Sequence, residues 1–388
     1  MVNRKSDDSN SRTARMAAVM LMLAGVSGCG FLGGSKKLTP LAEIRDSAIS
    51  MQWSASVGRA KGYLFSPSLG DKIIYAAAND GSISALADQG GGIVSRIDAK
   101  SKLSAGAGFG EETVVVANTQ GEVLAFDGSG RSLWKTSLGG EILAAPFVAQ
   151  GTVVVRTADG RMFALNRVDG KRKWVFTRAV PALTLRTNAS VTLARNVIYA
   201  GFPGGKVIAV ELDSGRPVWE ATISLPRGTT ELERIADVAG LPVIDESRVC
   251  AAVYQGRTGC METLSGNVLW TRDIASADGV AVDGKNIYVA DTDGNVVALD
   301  KTSGATVWKQ EKLQNRDVGT PVVVQGRIVL GDRLGFIHSL AADSGELTGR
   351  IATDGSRVVS LVSGGGRVIA QTERGGVFAT DKAIKLFF

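Results

Sequence analysis

Gly294-Asn295-Val296-Val297-Ala298-Leu299-Asp300, followed by Ser303-Gly304 and then Trp308, opens a pattern that recurs along the whole chain. It is a turn glycine, an alternating apolar strand, a second turn at Ser-Gly, and a Trp fourteen residues after the first Gly. Gly205 to Trp219 repeats it through Val207, Ala209 and Ser214-Gly215, and Gly160 to Trp174 through Met162, Ala164 and Asp169-Gly170. Gly256 to Trp270 keeps the Gly, Ser265-Gly266 and the Trp, while Gly121 to Trp134 is one residue shorter. Gly81 and Gly335 begin copies with Ser95 and Gly349 in place of Trp, and Gly375 begins an eighth copy that the chain end cuts short.

Successive copies start 38 to 51 residues apart. A period near 40 in strand-type sequence predicts a β-propeller with four strands per blade. Asp293-Gly294 and Asp80-Gly81 are hairpin turns, because Gly accepts positive φ. Five of the six Trp occupy the repeat position, and the sixth is Trp53, near the start of the folded region. The eighth copy lacks its last strand, so residues 52–56 are expected to supply it, closing the ring and removing an open sheet edge. The fold expected is all-β: an eight-bladed propeller of four-stranded antiparallel blades over residues 51–388, closed by an N-terminal strand. A Trp repeated at one offset is expected to wedge blade against blade, burying roughly 150–250 Å² each.

The N-terminus reads differently. Arg4, Lys5, Arg12 and Arg15 precede an apolar run of eleven residues, 16–26. That is too short for a transmembrane helix, which needs ~20, and suits the core of a secretory signal over residues 1–28. The run ends in Val26-Ser27-Gly28-Cys29, which resembles the lipobox of bacterial lipoproteins. The resemblance implies cleavage before Cys29, acylation of that residue, and a lipidated tether over residues 29–50. Gly30 in place of Asp implies sorting to the outer membrane.

Residues 1–28 carry four of the 44 Lys and Arg and two of the 38 Asp and Glu, leaving 40 against 36 in the remainder. That balance is mixed, without basic runs, and supports no nucleic-acid footprint. A single His, His338, excludes any site that needs two. It falls on a strand position held by Val297, Ile208 and Phe163 in other copies and is expected to pack between blades. No Gly-rich phosphate loop is present. Cys250 and Cys260 flank the turn at Gly256 and would face each other across a hairpin. In an oxidising compartment they either form a cross-strand disulfide or remain two small buried thiols.

From each Trp position to the next repeat Gly the chain usually runs 24 to 28 residues, but it runs 31 after Trp174 and 37 after Trp219. These two adjacent connections fall on one face and should form a continuous surface. The first contains Pro181-Ala182-Leu183-Thr184-Leu185-Arg186. The second runs from Thr229 to Val238 through Glu231, Arg234 and Asp237, with Thr230 and Glu233 spaced as a capping box. Leucines and Arg beside a charged turn suit a protein–protein hot spot; packing of Leu183 and Leu185 onto the blade is the other reading.

The Trp repeats resemble the pyrroloquinoline quinone (PQQ)-type propellers, whose dehydrogenases use PQQ and Ca²⁺, and often an adjacent Cys pair. This chain has no adjacent Cys pair and lacks the long insertions of those enzymes. A periplasmic PQQ-dependent dehydrogenase is therefore kept as the alternative, and a glycan-binding propeller as a third reading. The lipobox, the repeats and both loops together resemble the BamB family, the propeller lipoproteins of the outer-membrane β-barrel assembly machinery. The resemblance covers the mature chain. It implies a scaffold without enzymatic activity or cofactor, whose loops bind the periplasmic POTRA domains of the barrel insertase BamA. It also implies indirect contact with the other Bam lipoproteins and assistance to nascent outer-membrane β-barrel proteins. Leu183, Leu185, Arg186 and Asp237 match that family's contact residues; Glu231 and Arg234 are added from their place in the second loop. The family often has a second acid two residues beyond Asp237, where this chain has Ala239.

Overall fold

Each repeat folds into a four-stranded antiparallel sheet, and eight such sheets stand around a common axis. A computed structural model describes residues 38–381, apart from 45, 46 and 188; Cys29 and the apolar run before it lie outside the described residues. The first blade comprises Ser68–Leu69, Ile73–Ala77, Ser82–Ala87 and Ile93–Asp98, from the axis outward. The eighth takes Val358–Gly364, Arg367–Thr372 and Gly376–Thr380 from the end of the chain and Met51–Ser56 from its beginning. Trp53 stands opposite Ala379 in that last pairing, so the N-terminal strand closes the ring.

The third strand of each repeat does not alternate between core and solvent as expected. Ser82–Ala87, Glu122–Asp127 and Arg161–Asn166 each bury their four central residues. A blade is sandwiched between two others, so both faces of its middle strands are dry and both must be apolar. Alternation appears in the outermost strands instead, as in Ser132–Ser137 and Arg172–Thr177, where only the Trp and its neighbour two residues on turn inward.

The six Trp share one environment. Each indole lies against a turn glycine of the next blade: Trp53 on Gly91, Trp134 on Gly170, Trp174 on Gly215, Trp219 on Gly266, Trp270 on Gly304 and Trp308 on Gly345. A Cβ on any of these glycines would stand 2.3–2.7 Å from the ring. Each Nε1 donates to a backbone carbonyl of that next blade at 2.7–3.0 Å. A register shift beside each Trp, as between Ala164 and Leu165 opposite Trp174, bulges the outer strand at the position of the wedge.

The turns between second and third strands share one face with the connections that lead from each outer strand to the next blade. The repeat glycines hold these together. Gly205 has φ +69°, and a Cβ there would meet the Ser224 carbonyl oxygen at 1.9 Å; its own carbonyl accepts the amide of Ile223. Gly256 differs, since Gln255 takes the positive φ in that turn.

Two joints lack Trp. Between blades one and two, Tyr75 and Phe109 stack at 4.7 Å beside Ile97. Between blades seven and eight, Ile49 fills the place, and a Cβ on Gly349 would stand 2.6 Å from its Cγ2. Residues 38–44 and 47–50, within the stretch expected as tether, are thus held along the outer edge of blade seven. The Ala48 amide donates to Thr348 O at 2.8 Å, and Arg350 and Arg316 donate to the carbonyls of Ala42 and Thr39 at 3.1 and 3.3 Å.

Those arginines border a buried cluster containing His338. His338 Nε2 and Arg316 Nε lie 3.0 and 2.7 Å from Asp332 Oδ2. Burial raises the Asp332 carboxyl, but bonds from His338, the Phe336 amide and Arg316 outweigh it and hold it below the ordinary carboxylate value. Burial lowers His338. The single His is a dry interior residue. Cys250 and Cys260 face each other across the strands Arg248–Ala252 and Thr258–Glu262 and are joined by a disulfide.

Trp270→Ala should lower the unfolding free energy by about 3–5 kcal/mol, the usual range for a large buried aromatic. Urea unfolding followed by circular dichroism measures it, and a loss below ~1 kcal/mol would deny the wedge its role. For the cysteines, chain carrying Cys29→Ser and unfolded without reductant should take up no alkylating reagent. Two modified thiols in the mass spectrum would show that the bond does not form.

Candidate functional site

The two extended connections follow the strands Arg172–Thr177 and Pro217–Thr222, the outer strands of blades three and four. They meet on the connection face. The deeper part of the second is Ala236-Asp237-Val238-Ala239, and all four residues are buried. Val238 packs where a Cβ on Gly201 would lie 2.3 Å away, and the Tyr254 amide donates to Asp237 O at 2.8 Å. This rung is fixed between blades four and five by apolar contact and backbone bonds before any partner is considered.

Asp237 joins the two loops. Its Oδ2 accepts the backbone amide of Leu185 at 2.7 Å. Burial raises its carboxyl above the ordinary Asp value, while the amides of Leu185 and Gly204 work in the opposite direction. A buried carboxylate that accepts two backbone N–H groups is a positioning device. It sets the height of Leu185, and with it the path of the first loop. The family acid expected two residues further on is replaced by Ala239, which is buried in the interblade cleft.

Leu185 is half-buried over a shallow depression lined by Arg156, Phe202 and Val238. Leu183 is 44% exposed and Leu232 67% exposed. Arg186 is exposed and pairs with Glu141 on the connection between blades two and three. Such a surface pair contributes about 0–1 kcal/mol to folding, so the Arg is available for exchange to a partner. In the second loop the capping-box spacing gives one tight turn. Thr230 Oγ1 accepts the Glu233 amide at 3.2 Å, and Glu233 Oε2 accepts the amides of Thr230 and Thr229 at 3.0 and 2.9 Å. These backbone bonds, Thr230 first, hold the Glu233 carboxyl below its ordinary value. Glu231 and Arg234 stand exposed on that turn. The structure brings Leu185 and Asp237 into contact and leaves Leu183, Arg186, Glu231 and Arg234 on the surface around them.

Arg156 was not singled out from the sequence. It ends the strand Thr152–Arg156, lies under the first loop, and donates to Ala189 O at 2.8 Å and to Gly201 O. Its guanidinium sits 4.9 Å from the Phe202 ring centre, and burial lowers its pKa to about 10. The signal was present: four residues before the repeat Gly, six copies carry Ala or Gly, and only Arg156 and Gln371 depart from that. Both reach a backbone carbonyl of the following blade, Gln371 to Ala77 O at 2.9 Å.

The family model described as outer membrane protein assembly factor BamB matches residues 79–310 and 292–384. A protein of that description from Nitrosomonas eutropha is 37% identical, over 96% of this chain and 95% of its own length. Another, from Burkholderia pseudomallei, is 38% identical over 93% and 95%. The chain belongs to the BamB family of outer membrane protein assembly factors. Among solved structures, BamB from Moraxella catarrhalis superposes with a TM-score of 0.80 at 23% identity, covering 86% of this chain and 99% of that one. The quinohemoprotein alcohol dehydrogenase of Comamonas testosteroni reaches 0.69 at 14% identity, covering 89% and 79%. At these identities the likeness concerns the fold alone.

The quinoprotein reading is tested by the donor set. Among the described residues no three His, Cys, Asp or Glu side chains stand close enough to share a metal ion. The two described cysteines close a hairpin within blade five and are not neighbours in sequence. These residues do not fit a PQQ–Ca²⁺ centre.

Asp237→Ala should free the first loop from the second. Amide hydrogen exchange at Leu185 is expected to accelerate at least tenfold, since a hydrogen bond to a charged group contributes about 1.5–3 kcal/mol. Exchange in the Trp-bearing strands should not change. Unaltered protection at Leu185 would remove Asp237 as the link.

Proposed function

We propose that the chain is a non-enzymatic scaffold, held on the periplasmic face of the outer membrane through acylated Cys29, that binds the POTRA domains of BamA. Leu183, Leu185 and Arg186 form the centre of the contact. Asp237 positions them from below, and Glu231 and Arg234 supply polar contacts at the rim. The observation that supports this most directly is the Asp237–Leu185 bond at 2.7 Å, which makes one surface of two loops. Exposed leucines surrounded by an Arg and a charged turn have the composition of an interface centre with a polar rim.

Scaffolding fits the energetics of the fold. The Trp–Gly joints commit their aromatic area to holding blades together, and the loops project from a rigid ring. A pre-organised surface of this kind loses little conformational entropy on binding. The partner domains are then held in one arrangement while β-barrel proteins are folded and inserted. Contact with other Bam lipoproteins is indirect, through BamA. Nascent barrel strands reach the machinery in the same neighbourhood, where exposed backbone edges offer pairing.

Binding of the unacylated mature protein to the purified POTRA region of the cognate BamA tests the reading. Leu183→Ala/Leu185→Ala/Arg186→Ala should weaken it by at least ~2 kcal/mol, roughly thirtyfold, with the circular dichroism spectrum unchanged. No wild-type binding would remove the partner. Wild-type binding that the triple substitution leaves unchanged would move the contact elsewhere on the propeller.

A further inference from the structure

On the side of the connection face opposite the two long loops, the ring is basic. Arg59 and Lys61 come from the connection between blades eight and one, Arg333 from a turn of blade seven, Arg357 from the connection between blades seven and eight, and Arg374 from a turn of blade eight. Among the described residues, these five cations line one open groove together with Glu373. Arg357 is the one with an ion-pair partner, Asp317 at 3.6 Å. Arg59, Lys61, Arg333 and Arg374 are exposed and form no salt bridge among the described residues, while Arg374 donates to the Asp354 carbonyl at 3.0 Å and acts on that residue's carboxylate. Five cations against Glu373, Asp317 and Asp354 leave an excess of positive charge, and an anionic partner relieves the repulsion among them.

The path of the N-terminal segment indicates which anion. Residues 38–44 and 47–50 follow the outer edge of blade seven, and the end at Thr39 is at the connection face. There the Thr39 carbonyl accepts from Arg316, and the Arg316 carbonyl accepts the amide of Arg333, a residue of the groove. Only nine residue steps separate Leu38 from Cys29. At about 3.3–3.6 Å each they span at most roughly 30 Å. An acyl chain on Cys29 would therefore keep the bilayer surface within that distance of Leu38, whose neighbour Thr39 connects through Arg316 to Arg333 of the groove. The long loops, by contrast, are on the far side of the axis.

We infer that the groove formed by Arg59, Lys61, Arg333, Arg357 and Arg374 is an electrostatic docking surface for the anionic phospholipid headgroups of the leaflet that holds the anchor. This goes beyond the scaffold role and rests on the Cys29 reading for its geometry. Basic residues near an anionic surface add up in affinity, and their effect falls off within a Debye length, about 8 Å at physiological salt. The acyl chain supplies the anchor and the groove sets the tilt, so that the loops of blades three to five face away from the bilayer towards the partner. One face of the ring is thus divided between membrane and protein.

The test is co-sedimentation of the mature protein carrying Cys29→Ser with 100-nm vesicles. One set is pure phosphatidylcholine and the other contains 30 mol% phosphatidylglycerol, each at low and high salt. Binding is expected only to the anionic vesicles and only at low salt. Arg59→Glu/Lys61→Glu/Arg333→Glu should weaken it at least about tenfold. Lys72→Glu/Lys171→Glu/Lys285→Glu, an equal charge change on the opposite face, should not. No binding by the wild type, or equal loss in both variants, would overturn the assignment. So would a groove variant that binds vesicles normally but loses the POTRA region, since the groove would then belong to a protein partner. Acylation of Cys29 is read separately by mass spectrometry of the membrane-extracted protein. Its absence with vesicle binding intact would remove the anchor and leave the groove.

Discussion

The contact of a tryptophan face with a glycine of the next blade is the constraint from which the rest of this molecule follows. A four-stranded blade has two apolar faces and cannot bury either alone, so each depends on its neighbours on both sides. The indole meets that need in two ways. It buries a large apolar area, and its N–H anchors a carbonyl of the adjacent blade, which fixes the rotation of one blade against the next. Glycine is required on the receiving side by the separation itself, since a methyl group there would overlap the ring. The eighth joint closes because Trp53 arrives from the other end of the chain. The strand that brings it is also the one that ties the N-terminal segment to the ring.

The ring is repetitive, and the proposed binding surface lies where repetition is broken. The two long connections are inserted side by side, and a buried carboxylate couples them. Asp237 is costly to bury without its two amide donors, and those donors belong to the first loop and to blade four. Neither connection is therefore positioned alone. Arg156 adds a second tie from below by satisfying carbonyls of the first loop and of the next blade. The same logic explains why the loops can carry exposed leucines: the connections are held by polar bonds at their base and do not need those side chains for folding.

Much of this was legible in the sequence. The repeat glycines, the Trp offset and the spare Trp53 gave the blade count and the closure by arithmetic, and the length of two connections pointed to the loops that Asp237 joins. What escaped notice had no periodic signature. Ile49 replaces a Trp at the blade seven–eight joint, yet it enters from a segment without strand alternation, held by arginines that donate to its carbonyls. Backbone carbonyls leave no mark on residue type. Alternation in the third strands was expected and is missing, because a strand between two blades has no wet face. The basic groove escaped because its members lie at positions 59, 61, 333, 357 and 374, brought together only when the ring closes.

That closure has a consequence for the whole face. In an eight-membered ring the groove, centred on blade eight, lies across the axis from the loops on blades three to five. The N-terminal segment emerges beside the first and far from the second. Entry on the connection face, next to the basic rim, makes a short linker sufficient. On the proposed acylation of Cys29, orientation would follow from three fixed features of the ring: where residue 39 lies, where the excess arginines stand, and where Asp237 holds the loops.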